Sequence, residues 1–84
     1  MNYYIVTTEV FETLQVNNIR YAHKSQDDSK WVVTTTDTVD NTIATFDSIS
    51  DLSTHTHANH SDWTGGGIGI EEWEIEETEY ISGL

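Results

Sequence analysis

Eighty-four residues without a cysteine carry fifteen acids against three Lys and Arg, a formal net charge of −12 at pH 7. The missing thiols exclude disulfides and thiolate metal centres, and the sign of the charge argues against direct contact with nucleic acid or an anionic membrane, because Lys and Arg are what hold phosphates. A chain this short buries only about 60% of its unfolded surface, so a single domain over 1–84 with a thin core is expected, and its nine aromatic residues must supply much of the apolar area.

The first segment, residues 3 to 16, is dense in β-branched and aromatic types, with Tyr3, Ile5 and Thr7 on one parity and Tyr4, Val6 and Thr8 on the other. It predicts a strand, bent or interrupted near Glu9 to Glu12. Ile19 to Lys24 and Lys30 to Thr36 predict two more strands, joined by Ser25-Gln26-Asp27-Asp28-Ser29, a run of turn formers. After a polar turn at Asp37 to Asn41, Thr42 to Phe46 reads as a short strand. From there the period changes. Asp47 or Ser48 can cap a helix, Asp51 stands three residues beyond Ser48, and Ile49, Leu52, Thr56, Asn59 and Trp63 fall at helical spacing, which predicts a helix over 48–62. Gly65, Gly66 and Gly67 end it. In the last segment, 68 to 81, Trp73 and Ile75 alternate with Glu72, Glu74 and Glu76, predicting a final strand with a bulge near Glu71.

Strands, then one helix, then a strand predict an α+β fold: a twisted antiparallel sheet of about five strands with one helix near residues 48-62. The alternative is a strongly bent sheet closed into a small β-barrel of the SH3 or Sm kind. Trp31 and Trp73 are expected in the core or at an interface, with Ile5, Val33, Ile43 and Leu52 around them.

The histidines of Ser53-Thr54-His55-Thr56-His57-Ala58-Asn59-His60 are the first candidate site. On a strand His55 and His57 would share a side, as zinc ligands often do; on a helix they lie about 200° apart. In the helical reading only His57 and His60 share a face, with Asp62 near, and zinc needs three or four convergent ligands. Solvated surface histidines are therefore expected, and no metal or other cofactor. The run Gly65-Gly66-Gly67-Ile68-Gly69 lacks the Lys-Ser/Thr of a phosphate loop and follows a helix where a dinucleotide loop would open one. The glutamates from Glu71 to Glu79 show neither a calcium loop nor a pair of carboxylates in contrasting environments, and no nucleophile elbow occurs, so an enzyme is not expected. No apolar run approaches the roughly 20 residues that span a bilayer, and Met1 to Val6 shows no signal-peptide pattern. A cytoplasmic protein is expected.

Absent chemistry and abundant aromatics predict a small acidic protein-interaction or assembly module that self-associates. Its contact residues are Trp63, Trp73 and Tyr80, with Tyr4 as a further aromatic beyond what one sheet face hides. The acids are also uneven: residues 47 to 84 hold nine of them and no base. Asp47-Ser48-Ile49 ahead of a helix resembles the Glu-Ser-Ile element of uracil-DNA glycosylase inhibitors, which match this chain in size and charge. The resemblance covers three residues, with Asp47 in place of the glutamate. It implies a DNA mimic in which Asp47 and Ser48 imitate phosphate contacts while Glu72, Glu74 and Glu76 supply the attracting field.

Overall fold

The computed structural model describes residues 1–14, 19–63 and 69–77, Glu76 and Glu77 by their backbone alone. In chain order the elements are β1 (Asn2–Thr7), α1 (Thr8–Glu12), β2 (Ile19–Lys24), β3 (Lys30–Thr35), β4 (Ala44–Phe46), α2 (Ile49–Ala58), α3 (His60–Trp63) and α4 (Glu72–Glu77). The fold is α+β, with a four-stranded antiparallel sheet in the order β2-β3-β1-β4 and several short helices. β2 and β4 stand at opposite edges, so among the described residues the sheet is open and does not close into the alternative barrel.

The predicted hairpin forms as expected. Asp27 organises its turn, its carboxylate accepting from Ser29 Oγ at 2.6 Å, Ser25 Oγ at 2.9 Å and the Ser29 amide at 3.0 Å. Those hydrogen bonds, those of Ser29 foremost, hold the Asp27 carboxyl down at about 2. Asp28 takes the left-handed conformation that ends the turn (φ 66°), which aspartate tolerates better than most side chains.

Both faces of the sheet are covered. Tyr3, Ile5, Tyr21 and Val32 face the helices and pack with Leu52, Trp63, Ile70 and Ile75. Tyr4, Val6, Ile19 and Val33 face the other way, toward Val10, Phe11, Val39 and Trp31. A register shift between Ile19 and Tyr21 lets these two residues serve opposite faces although they share a parity.

Three expectations are corrected here. The first strand ends at Thr7, whose hydroxyl accepts the Val10 amide at 3.1 Å and caps α1; the residues after it continue as a helix and lay Phe11 flat on Trp31, centroids 4.0 Å apart. The single helix over 48–62 is two, broken at Asn59, where the backbone leaves helical geometry (φ −120°, ψ 37°) while its amide still closes the last turn on the His55 carbonyl. The last strand is not formed over its described part, where 72–77 is α4. Glutamate favours helix and disfavours strand, and Glu74 caps the element: its Oε2 accepts the Glu71 amide at 2.8 Å, half of a capping box.

The helix matters for the aromatic beside it. Trp73 and Ile75 would share a face on a strand but lie about 200° apart on a helix. Ile75 is buried and Trp73 is 60% exposed, so Trp73 is no core residue. Ile43, also expected inside, is 54% exposed; its amide holds the Ile5 carbonyl at 2.7 Å while its side chain points outward from the sheet edge. Tyr4, expected in excess at the surface, is buried with its hydroxyl donating to the Asp37 carbonyl at 3.3 Å.

Candidate functional site

The chain that enters α4 first crosses α2 at very close range. Gly69 is buried, and a Cβ placed on it lands on the backbone of Thr56 and His57, so the crossing requires glycine. Thr56 fixes it. The Thr56 hydroxyl, itself buried, accepts the Ile70 amide at 2.9 Å and shares its proton between the carbonyls of Ser53 at 3.1 Å and Ile70 at 3.3 Å.

This crossing leaves an open groove of about 720 Å³ between α2 and the start of α4, lined by Ser53, Thr54, His57, Glu71, Glu72 and Trp73. On its wall His57 Nε2 stands 3.4 Å from Glu71 Oε1. Glu72 and Trp73 are exposed at its rim. Ser53 is 7% exposed, and its hydroxyl has no hydrogen-bond partner among the described residues. A buried hydroxyl left unbonded costs free energy on the order of 1–3 kcal/mol.

The groove gathers some of the sequence candidates and scatters the rest. Trp73 and Glu72 belong to it, and so does His57. Glu74 is turned inward at the α4 cap. Trp63, expected as a contact residue, is 3% exposed and part of the core, because α3 folds it under Lys30, whose ammonium sits 5.9 Å above the indole and 3.4 Å from Asp62 Oδ2. Ser48 caps α2, accepting the Asp51 amide at 3.1 Å, beside an exposed Asp47. Tyr80 and the side chain of Glu76 lie outside the described residues.

His57 and His60 are not joined by a third ligand: among the described residues no three His, Cys, Asp or Glu side chains converge on a point that could hold a metal ion. As helical geometry requires, His55 turns the other way from His57, against the Phe46 ring at 5.1 Å. His23 is engaged elsewhere, between the Tyr21 hydroxyl and the Trp63 carbonyl, both 3.3 Å away. The carbonyl can only accept, so Nε2 carries the proton and Nδ1 accepts from Tyr21. Burial, with the Glu74 carboxylate adding to it, raises the Tyr21 hydroxyl well above the ordinary tyrosine range.

Ser53 and Thr54 were not among the sequence candidates, and Glu71 was weighed there only as one of the glutamates from Glu71 to Glu79. The available signal for the first was Ser53 and His57 at i and i+4, neighbours on one helix face. No helix among the described residues is long and apolar enough to cross a membrane. Comparison with protein-family models, with curated proteins and with solved structures finds nothing that matches this chain.

Proposed function

We propose that the chain is a small non-enzymatic protein-interaction module that meets its partner through the groove between α2 and α4. The observation that supports this reading is Trp73, a large indole left 60% exposed at the rim of that groove. Tryptophan beside a concave surface is the residue type that most often dominates binding energy at protein interfaces. Self-association through this face is the assembly form of the same module. Light scattering behind size exclusion, at two concentrations in 0.1 M and 1 M salt, reads it: a mass above the monomer that persists in high salt and falls in Trp73→Ala is expected. For a different partner the readout is retention from solution, expected for the native chain and lost in Trp73→Ala. Equal behaviour of native chain and variant in both measurements overturns the reading.

A second reading, a DNA mimic that occupies a nucleic-acid-binding protein, is favoured by the exposed carboxylates Asp47, Asp51 and Glu72. It predicts inhibition of uracil-DNA glycosylase that weakens steeply with salt, since charge complementarity acts mainly on the encounter rate. No inhibition at micromolar excess removes that target.

A further inference from the structure

We infer that the groove between α2 and α4 is a receptor for an arginine side chain presented by a basic segment of the partner, an inference that rests on the interaction reading above. Among the described residues its acidic and basic lining consists of Glu71, Glu72 and His57, with His57 facing Glu71, so two acids stand against at most one base and the rim is negative. The half of the chain that builds it, residues 47 to 84, holds nine acids and no base. A second copy brings acids of like sign to this face, so self-association there rests on apolar contact and gains from high salt, whereas a basic segment is drawn to the face by charge. Two further features select arginine among cations. The exposed indole of Trp73 offers a flat face on which a guanidinium stacks, which an ammonium cannot match in area. Ser53, nine-tenths buried and lining the groove, keeps a hydroxyl without any partner among the described residues. A guanidinium has five N–H donors in a planar fork, enough to bond a rim carboxylate and still reach a hydroxyl. In the free chain this hydroxyl is sealed from solvent, so binding requires it to swing toward the groove by rotation about χ1, which has three staggered wells. Ser53 is then the floor of the receptor, Trp73 one wall and Glu72 the counter-charge.

The test uses the full chain and three synthetic peptides of equal length, glycine alternating with arginine, with lysine or with citrulline, titrated calorimetrically at 0.15 M salt. The arginine peptide is expected to bind about tenfold more tightly than the lysine peptide and the citrulline peptide not measurably, as stacking and a charge-assisted hydrogen bond require. Trp73→Ala, Ser53→Ala and Glu72→Gln are each expected to weaken the arginine peptide about five- to tenfold. Glu9→Gln, which removes an exposed charge on α1, is expected to change it less than about twofold. Ser53→Ala carries a second readout: it raises the melting temperature of the free chain while it weakens binding, an outcome a structural serine cannot give. Equal affinity for arginine and lysine peptides, with Glu9→Gln as damaging as Glu72→Gln, shows a diffuse acidic field and overturns the receptor. If that result comes with an oligomer mass that still falls in Trp73→Ala, the receptor is overturned and the interaction surface stands. Indifference of both measurements to Trp73→Ala overturns both.

Discussion

At Gly69 a single methyl group would collide with the main chain of α2, and main chain cannot rotate aside as a side-chain tip can. Gly69→Ala is therefore expected to cost about 2 to 4 kcal/mol, a fall in melting temperature of roughly 10 to 20 °C for a domain of this size. Ser53 predicts the opposite sign. Ser53→Ala removes a buried hydroxyl with no partner among the described residues and improves helix propensity, so a gain of about 1 kcal/mol is expected in thermal or urea unfolding. At Asp27 folding lowers the carboxyl to about 2. The linkage is that of a depressed acid: its contribution is complete above the ordinary carboxyl range near 4 and is lost as pH falls through about 2. The melting-temperature gap between the native chain and Asp27→Asn should accordingly hold from neutral pH to about 4 and close toward 2.

Elements were legible where their causes are local. The hairpin followed from Ser25 to Ser29, whose hydrogen bonds run within the turn itself, and the start of α2 from the Ser48 cap three residues before Asp51. α4 was not, because Trp73 and Ile75 alternating with glutamates imitate a strand over six residues. The competing cue was the helical preference of the glutamates themselves. Reading 72–77 as a strand also set Trp73 on one side with Ile75, in the core or at an interface, so the groove could not be seen: one error of period joined an exposed residue to a buried one. α1 was hidden in the same way behind β-branched neighbours. Its worth is measurable, since Phe11 lies flat on Trp31. Trp31→Ala removes that stack and its partners Val6 and Val33 across the sheet face, and about 3 kcal/mol or more should be lost, enough to broaden or abolish cooperative melting in a chain of this length.

For the molecule as a whole, charge was legible and its use was not. Composition alone tells that residues 47 to 84 carry nine acids and no base; where those acids gather depends on the crossing of Gly69 over Thr56, a contact between residues thirteen apart that no local pattern encodes. Self-repulsion among them has a thermal consequence. Raising salt from 0.1 M to 1 M shortens the screening length from about 10 Å to about 3 Å, so the free chain should melt higher in 1 M salt; a melting temperature that falls would show that attractive pairs outweigh the repulsion.

The strand order β2-β3-β1-β4 places the first strand between two partners that both come later in the chain. β1 meets Lys30 to Thr35 on one side and Ala44 to Phe46 on the other, so Tyr3 to Val6, four consecutive buried residues, have no ladder until chain lying 25 residues (Val6 to Trp31) to 43 residues (Tyr3 to Phe46) further on has been drawn back across them. The β2–β3 hairpin closes a loop of only five residues and can form alone; insertion of β1 beside it must overcome the larger closure entropy. Refolding kinetics should then divide along this seam. Loosening the turn by Asp27→Ala is expected to slow folding, whereas shaving Phe46 or Ile75, which dock after β1 is seated, should leave the folding rate nearly unchanged and speed unfolding.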